Sequence, residues 1–407
     1  MVLITQDARR AAQGIRDIAN RFGMGDLVFD TKSSNDDLSR ILATFPVSTK
    51  QGLISFRENN ADRYLCEALL FAETSGTTGK PLQIPRTYLD LVNGVRNYAT
   101  AYLRYLRPGR DRVAFVHPSL LSPLRDITVR TLQDHNIGIM TVFPIPGQYT
   151  YDRIHAALAN NKVTTLMSSP SSIHQILYNF HLNDLALPAS VERIFVTGEY
   201  FSRAQSNNIK RLIGRAIEII PIVYGANEIG MMMYGDSDLN YRGFIDDFVF
   251  ESLPIENYSE FVDTLEQGAH LGELLVTSLT PSSMPIIRYA TKDVFVFKPQ
   301  SDGSWCFAHV GRNESLPLNL RTRNSIDAAM YSLPEPIYHY RLKSSADAAL
   351  ITVQVLQSGE TSMPSSIIED AVSEIIPGRT VHFDEHYDGG FRPGECISKI
   401  SRFAVAA

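Results

Sequence analysis

The sequence predicts an α/β protein, with a large N-terminal domain of helices around mixed and parallel sheets, followed by a small C-terminal α+β domain. The chain has 407 residues, and a single hydrophobic core stops growing at about 250–300 residues, so two domains are expected. Apolar runs alternate with helical stretches from residue 113 to about residue 230, which is typical of βαβ units and a parallel sheet. The pattern changes after Gly311, so the predicted domains are residues 1–311 and 312–407.

The elements are predicted in chain order from the spacing of their apolar residues. Two amphipathic helices come first, at residues 9–20 and 36–45, and the second ends near Pro46, as helices commonly do before proline. The predicted strands of the parallel sheet are residues 113–119, 137–145, 163–169, 191–198 and 216–225, and the helices between them are residues 124–136, 151–161, 171–180 and 202–214. An antiparallel layer is predicted from the strands 244–254, 272–280, 285–297 and 305–311. The C-terminal domain is predicted as strands 337–343, 349–356 and 380–387 with one helix at 365–376.

Composition and charge exclude several classes of protein. Hydrophobic residues make up 44% and charged residues 20% of the chain, a balance typical of a protein that folds throughout. The net charge of −6 gives no basic footprint for nucleic acid. The N-terminus lacks the apolar core of a secretion signal, and no stretch approaches the roughly 20 apolar residues of a membrane helix. With three widely spaced cysteines and neither a disulfide framework nor a zinc pattern, we expect a cytoplasmic enzyme with no membrane or nucleic-acid partner.

The strongest local signal is a loop of small and hydroxyl-bearing residues that follows an apolar run. Small residues let the backbone approach a ligand closely, and amides and hydroxyls can cradle phosphate oxygens. The spacing does not fit the P-loop template, so a P-loop nucleotidase is not expected. By composition alone the same run could be a plain surface loop. The candidate phosphate ligands are Thr74, Ser75, Gly76, Thr77, Thr78, Gly79 and Lys80.

With Pro81, this loop resembles the phosphate loop of the adenylate-forming ligases, and further segments resemble motifs of that family in the same order. Residues 196–202 look like its Gly-Gly-Glu-Pro-Leu-Ser turn, and residues 224–228 look like its Tyr-Gly-x-Thr-Glu motif. Residues 272–279 and 285–293 are similar to a strand and the Arg-Tyr-x-Thr-x-Asp motif of phenylacetate-CoA ligases, the branch closest in pattern. Gly311-Arg312 resembles the interdomain hinge, and residues 396–402 resemble the closing motif with the catalytic lysine.

The resemblance implies a role for each matching residue. Glu228 would bind the Mg²⁺ that bridges the ATP phosphates, and Lys399 and Thr78 would act with it in catalysis. Tyr224 would pack on the adenine, beside Gly225, Ala226 and Asn227. Asp293 and Arg312 would hold the ribose, and Gly198 and Glu199 would line the adenine and acyl pocket.

The implied reaction is activation of a carboxylic acid by ATP to an acyl-adenylate, with release of pyrophosphate. An aryl acid, a small acyl acid or an amino acid is the expected substrate, and coenzyme A or the phosphopantetheine arm of a carrier protein is the expected acceptor. A homodimer is a candidate assembly. Two alternatives stay open: transfer of the acyl group to an amine, and a degenerate member that binds nucleotide without catalysis.

The sequence departs from the family pattern at several positions. Asn227 replaces a Thr or Ser, Ala290 replaces an Arg, and Ser398 replaces the glycine before the lysine. The hinge region, residues 313–315, lacks the usual Asp, and the stretch after it lacks the family's glycine. These departures at the hinge leave amide formation open beside thioester formation.

Overall fold

The computed structural model describes residues 2–24, 38–60, 65–73, 82–117, 123–255, 265–280, 284–314, 316–345, 349–358, 363–395 and 401–405. The described part contains a large twelve-stranded sheet, a four-stranded sheet near the C-terminus and a two-stranded ribbon. No helix in these ranges combines the length and apolar character needed to cross a bilayer.

The first half of the large sheet is built from five parallel strands connected by helices. Its strands are β4 (Arg112–Val116), β5 (Gly138–Val142), β6 (Thr165–Ser168), β7 (Arg193–Thr197) and β8 (Glu218–Ala226), in the spatial order β8-β7-β6-β4-β5. Strand β6 is buried at every position, and only one residue of β4 and of β7 is less than buried. Strands covered on both faces are typical of parallel sheets, and explain the unbroken apolar runs in the sequence.

The helices of this half cover the sheet. They are α4 (Tyr88–Tyr102), α5 (Pro123–Asp134), α6 (Tyr151–Asn160), α7 (Pro170–Leu182) and α8 (Arg203–Ile213). Ser169 begins α7 by accepting a hydrogen bond from the amide of Ser172, and Ser202 begins α8 by accepting one from the amide of Gln205. Each serine satisfies an amide that has no partner within its helix. Helix α8 ends at Gly214, whose positive φ of 72° suits glycine.

The second half of the large sheet is antiparallel and continues from β8. Its strands are β1 (Leu3–Ile4), β9 (Gly230–Gly235), β10 (Asn240–Gly243), β11 (Phe248–Leu253), β12 (His270–Ser278), β13 (Tyr289–Pro299) and β14 (Trp305–Arg312), in the spatial order β1-β11-β12-β13-β14-β10-β9. The N-terminal helices α1 (Ala8–Arg21), α2 (Leu38–Ala43) and α3 (Lys50–Asn59) precede the ribbon of β2 (Leu70–Glu73) and β3 (Gln83–Arg86). Their apolar residues share one buried cluster with those of the antiparallel strands.

The described residues between 316 and 405, which we call the C-terminal unit, form a separate sheet covered by helices. Its elements are α9 (Leu320–Met330), β15 (Ile337–Ser344), β16 (Leu350–Gln357), α10 (Ser365–Ser373), β17 (Thr380–Phe383) and β18 (Phe403–Val405), with the strand order β17-β16-β15-β18. These elements enclose a core of their own.

Helix α8 contacts the C-terminal unit through polar side chains. Asn208 is fully buried, donating to the carbonyl of Ile337 at 2.8 Å and accepting from its amide at 3.0 Å. Arg211 donates to the carbonyl of Leu333 at 2.8 Å and to that of Pro334. Such pairing of buried polar groups fixes the position of the unit on α8.

The predicted fold class is confirmed: a mixed α/β protein with a large sheet and a smaller C-terminal sheet. The predicted parallel and antiparallel parts are continuous, because β8 pairs with β7 on one side and with β9 on the other. Strand β9 was not predicted from the sequence, because its run of three methionines fits a buried helix as well as a buried strand. The predicted domain boundary at residues 311 and 312 stays a prediction.

Candidate active site

A cleft of about 1460 Å³ opens at the carboxyl ends of the parallel strands. His117, Ser169 and Gly198 come directly after β4, β6 and β7 and border it. The antiparallel half and the C-terminal unit form the other walls, through residues such as Asp293 and Ser401. Ligands of open α/β sheets commonly bind at this edge, because the loops after the strands converge there.

The cleft contains most of the site residues predicted from motifs. The described residues of that set that border it are Gly198, Glu199, Tyr224, Gly225, Ala226, Asn227, Glu228, Asp293 and Arg312. They come from four distant segments of the chain. The loop 74–81, with Thr74 to Lys80, and residues 396–400, with Lys399, lie outside the described residues. Glu73, just before the loop, and Ser401, two residues after Lys399, border the same cleft.

Glu228 lies in the three-residue turn of the hairpin between β8 and β9. Gly225 permits this turn, because a Cβ atom there would lie 2.4 Å from the carbonyl oxygen of Gly230. Tyr289 donates a hydrogen bond to Oε1 of Glu228 at 2.6 Å. Burial and then the Glu228 charge raise the pKa of Tyr289, so the phenol stays protonated and donates. The carboxylate is thereby held at the cleft wall.

Arg86, the last residue of β3, holds this turn in place through hydrogen bonds to its backbone. Its guanidinium donates to the carbonyl of Ile229 at 3.3 Å and to the carbonyl of Asn227, and the side chain is 4% exposed. Asn227 in turn donates to the carbonyl of Glu73 at 2.7 Å. Asn227, which replaces the family's Thr or Ser, therefore connects the Glu228 turn to the residue that precedes the loop 74–81.

Tyr289 is itself fixed by its neighbour Arg288, which adopts a left-handed backbone conformation with φ of 47°. Arg288 pairs with the fully buried Glu251 at 3.1 Å and donates to the carbonyl of Phe45 at 2.9 Å. A left-handed residue other than glycine costs free energy and persists only where its surroundings hold it. This buried pair holds the backbone that presents Tyr289 to Glu228.

The predicted ribose residues Asp293 and Arg312 are direct partners across β13 and β14. Tyr224 donates a hydrogen bond to Oδ2 of Asp293 at 2.8 Å. Burial and then the Asp293 charge raise the pKa of Tyr224 well above its usual range, so it stays a donor. Gly311 precedes Arg312 with φ of 134°, and a Cβ there would lie 2.8 Å from Leu320, so this position needs glycine.

Aromatic rings form the floor beneath Tyr224. Phe295 lies edge-on to it at 4.9 Å, and His309 lies tilted at 5.7 Å from it. His309 stacks on Phe295 at 4.7 Å, and burial lowers its pKa, so the ring is neutral at physiological pH. Its Nε2 has no hydrogen-bond partner within the described ranges. Neither His309 nor Arg86 stands in a motif that would have singled it out from the sequence.

Glu199 contacts the first turn of α7 rather than standing free at the cleft. Its Oε2 accepts from Oγ of Ser171 at 2.5 Å and from the Ser171 amide at 3.2 Å. A carboxylate is favoured at a helix N-terminus, where amides lack partners inside the helix. Its other oxygen, Oε1, is buried with no partner in the part of the chain that is described.

The carboxylates of the cleft fit a divalent cation bound mainly by phosphate oxygens. No cluster of three or more His, Cys, Asp or Glu side chains suited to a metal occurs among the described residues. Oε1 of Glu228 accepts the hydrogen bond from Tyr289, and Oε2 has no hydrogen-bond partner among the described residues. Mg²⁺ is commonly held by one or two carboxylates together with substrate phosphates, so this single carboxylate suits it.

A buried histidine lies behind the cleft, where α7 meets the C-terminal unit. His174 is 1% exposed, and neither ring nitrogen has a hydrogen-bond partner within the residues described. Its ring stacks on Tyr331 at 5.4 Å. Burial and then the Arg402 charge lower its pKa from 6.5 to about 3. Burial also lowers the pKa of the neighbouring His339.

Replacing His174 by leucine is expected to reduce the amount by which the free energy of unfolding falls as the pH is lowered. The unfolded histidine titrates near 6.5 and the folded one near 3, so its contribution is full above the first value and is lost as the pH falls towards the second. The free energy of unfolding should lose about 1.4 kcal/mol less per pH unit in His174→Leu, measured by urea unfolding between about pH 4 and pH 5.5, where the histidine is protonated in the unfolded chain and neutral in the folded one. Exposed His270 is the control, and an unchanged slope in His174→Leu would contradict the assignment.

The chain resembles a curated protein in part of its sequence and solved structures in its fold. No family model matches the chain. A segment of 146 residues, 35% of the chain, is 29% identical to N-(5-amino-5-carboxypentanoyl)-L-cysteinyl-D-valine synthase from Streptomyces clavuligerus, and this match spans 17% of the synthase. The chain is thus compared with only a small part of that protein's length.

The similarity to solved structures covers nearly the whole chain. 2-Hydroxyisobutyryl-CoA ligase in its postadenylation state has a TM-score of 0.71 and 16% identity, over 93% of this chain and 84% of the ligase. The same ligase in its thioesterification state has a TM-score of 0.59, over 98% of this chain and 88% of the ligase. An acyl acid amido synthetase in complex with 2,4-DB has a TM-score of 0.64 and 13% identity, over 91% of this chain and 82% of that one.

The chain therefore has the fold of the adenylate-forming ligases, and the predicted resemblance is confirmed at this level. Within that class it shares its architecture with both a CoA ligase and an amide-forming synthetase.

Proposed function

We propose that this protein activates a carboxylic acid with ATP, forming an acyl-adenylate and pyrophosphate, and then transfers the acyl group to an acceptor. The observation that carries the proposal is the single cleft that Tyr224, Glu228, Asp293 and Arg312 share in the fold of adenylate-forming ligases. These four side chains come from three strands and one turn, and a nucleotide is the ligand whose base, sugar and phosphates they suit.

In this proposal each residue has the role that its motif implies. Tyr224 packs its ring against adenine, with Gly225, Ala226 and Asn227 beside it. Asp293 accepts hydrogen bonds from the ribose hydroxyls, and Arg312 supports the same sugar. Gly198 and Glu199 border the adenine and the acyl group. The loop residues Thr74, Ser75, Gly76, Thr77, Thr78, Gly79 and Lys80 surround the phosphates.

In the first step the substrate carboxylate attacks the α-phosphorus of ATP, and the bond to the pyrophosphate oxygen breaks. Little covalent participation by the protein is needed, because positioning and charge stabilisation lower the barrier. Lys399 and Thr78 offset the negative charge where the carboxylate and α-phosphate meet. Glu228 holds Mg²⁺, which when bound neutralises phosphate charge.

The acceptor in the second step is coenzyme A, a carrier-protein phosphopantetheine or an amine. A CoA ligase is among the structural relatives, and the partly matching synthase makes a carrier protein a reasonable partner. The amido synthetase of the same fold keeps an amine open as the second candidate. A homodimer stays a prediction.

The acid lies, in this proposal, against helices α4 and α5. Gly94 on α4 borders the cleft, and a Cβ there would lie 3.0 Å from Ile127 on α5. Tyr98, Leu124 and Met231 add apolar and aromatic surface. A wall of this kind suits an aromatic or small carboxylate.

Exchange of labelled pyrophosphate into ATP, measured across a panel of aryl, short acyl and amino acids, tests the proposal. At least one acid should stimulate exchange well above the acid-free rate, since exchange reports reversible adenylate formation. Adding coenzyme A, a phosphopantetheinylated carrier protein or amines to the responding acid then identifies the acceptor. Nucleotide binding without exchange for any acid would favour the degenerate alternative.

Replacing Asp293 by asparagine is expected to raise the KM for ATP by about tenfold to a hundredfold, because a hydrogen bond to a charged group is stronger than one to a neutral amide. The kcat should change much less, since ribose contacts form equally in the ground and transition states. Tyr224→Phe is the control: it removes the phenol that donates to Asp293 but leaves the carboxylate. An unchanged KM for ATP in Asp293→Asn would show that Asp293 does not bind the nucleotide.

A further inference from the structure

Asp327 on α9 is a buried carboxylate that binds side chains from three other segments of the chain. The residue is 1% exposed. Its Oδ1 accepts from Arg402, in an ion pair, and from the phenol of Tyr340 at 2.9 Å. Its Oδ2 accepts from Oγ of Ser202 at 3.0 Å. One oxygen therefore contacts the C-terminal unit, and the other contacts the start of α8.

The two residues joined through Asp327 lie next to the catalytic cleft in the chain. Ser202 follows Gly198, Glu199 and Tyr200, which border the cleft. Arg402 lies three residues after Lys399, and its neighbours Ser401 and Phe403 border the same cleft. Asp327 thus connects the wall of the acyl and adenine pocket to the segment that bears the proposed catalytic lysine.

Arg402 is held firmly in this arrangement. The guanidinium lies 5.8 Å from the ring centre of Tyr331, within cation–π range, and its side chain is 17% exposed. The carbonyl of Arg402 accepts from the amide of Leu342 at 2.8 Å, which starts the pairing of β18 with β15. A buried ion pair is strongly disrupted when one partner is removed, so the position of Arg402 depends on Asp327.

We propose that Asp327 is a positioning residue for adenylate formation: through its shared bonds to Arg402 and Ser202 it fixes Arg402, three residues after Lys399, relative to the start of α8. This inference rests on the proposed function. The bond from Ser202 is the part of the junction that crosses from α8 to the C-terminal unit. Breaking it leaves the unit folded and held on α8 by Asn208 and Arg211, but it removes the bond that fixes the Arg402 segment relative to the start of α8.

The chain offers a matched pair of variants for the test. Ser202→Gly removes the hydroxyl that crosses to Asp327, and glycine at a helix N-cap costs much less helix stability than alanine would. Tyr340→Phe removes a hydrogen bond of nearly equal length to the same carboxylate, but from inside the C-terminal unit. Ser202→Thr restores the hydroxyl and serves as the rescue.

Ser202→Gly is expected to lower the kcat of acid-dependent pyrophosphate exchange by about tenfold, the effect of losing one hydrogen bond to a charged group. The KM for ATP should change less than about twofold, since no nucleotide contact is lost. Tyr340→Phe and Ser202→Thr should both retain nearly the full kcat. Acyl transfer from a chemically prepared acyl-adenylate should be unchanged in Ser202→Gly, because the proposed function assigns Lys399 to adenylate formation.

Hydrogen–deuterium exchange of the peptide covering residues 401–405 provides a readout that does not depend on activity. Its amides should exchange faster in Ser202→Gly than in Tyr340→Phe. If the wild type exchanges no pyrophosphate into ATP with any acid, the proposed function is wrong. The difference in deuterium uptake between the two variants still tests whether the bond from Ser202 to Asp327 fixes residues 401–405. Equal deuterium uptake in the two variants, or an equal fall in their kcat, would overturn the proposal.

Discussion

Glu228→Gln is expected to lower the rate of acid-dependent pyrophosphate exchange by about a hundredfold to a thousandfold, the usual cost of losing one charge-stabilising group from a catalytic site. Glutamine has the same shape and can still accept the hydrogen bond that Tyr289 donates at 2.6 Å. The hairpin turn should therefore keep its conformation, and only the negative charge is lost. A carboxylate is the oxygen ligand that Mg²⁺ prefers, so the Mg²⁺ concentration for half-maximal exchange should rise in parallel.

Tyr289→Phe is the control for Glu228→Gln, because it removes the hydrogen bond and leaves the carboxylate. We expect it to lower the rate by about tenfold, less than the effect of Glu228→Gln, since a hydrogen bond to a charged group contributes about 1.5 kcal/mol. If Glu228→Gln kept the wild-type rate and the wild-type Mg²⁺ dependence, Glu228 would have no part in binding the metal.

Lys399→Ala is expected to lower the kcat of pyrophosphate exchange by about a hundredfold to a thousandfold, because it removes the ammonium group that, in the proposed function, offsets the charge where the carboxylate meets the α-phosphate. Lys399 lies outside the described residues, but the chain on both sides is fixed. The carbonyl of Glu395 accepts from the phenol of Tyr151 at 2.9 Å, and Arg402 pairs with Asp327. The measurement is the kcat and KM for ATP and acid, with the KM values expected to change little.

Lys343→Ala is the control for Lys399→Ala, since both remove one lysine from the C-terminal part of the chain. Lys343 pairs with Asp388 at 2.7 Å, and its side chain is about a quarter exposed, so its loss should leave the kcat nearly unchanged. Transfer from a prepared acyl-adenylate should also survive in Lys399→Ala. A full exchange rate in that variant would refute the catalytic role of the lysine.

Much of the fold could be predicted because its signals are local. The apolar runs of β4, β6 and β7 are buried along nearly their whole length, and the helices between them have capping serines at Ser169 and Ser202. Burial on both faces and helix capping are properties that neighbouring residues determine. The methionine-rich β9 was missed, because an apolar run without a period fits a helix or a strand equally.

The candidate site could be predicted only where the residues stand in ordered motifs. Tyr224, Glu228 and Asp293 were found in this way, whereas Arg86, His309 and Asp327 were not, because their partners lie far away in the chain. Arg86 contacts carbonyls 141 and 143 residues away, and Asp327 contacts Ser202 across 125 residues. A side chain that acts through a distant backbone atom leaves no local pattern.

The sequence by itself determined the fold class and the alternation of strands and helices in the parallel half, since both depend on short-range spacing, and it supplied the residues that resemble nucleotide-binding motifs. The tertiary structure decided which of these residues share a cleft, that Tyr224 and Tyr289 serve as donors to Asp293 and Glu228, and that Asp327 joins Arg402 to Ser202. The physical reason is that hydrogen bonds and ion pairs depend on distances of about 3 Å between atoms, and only the folded chain brings distant residues that close.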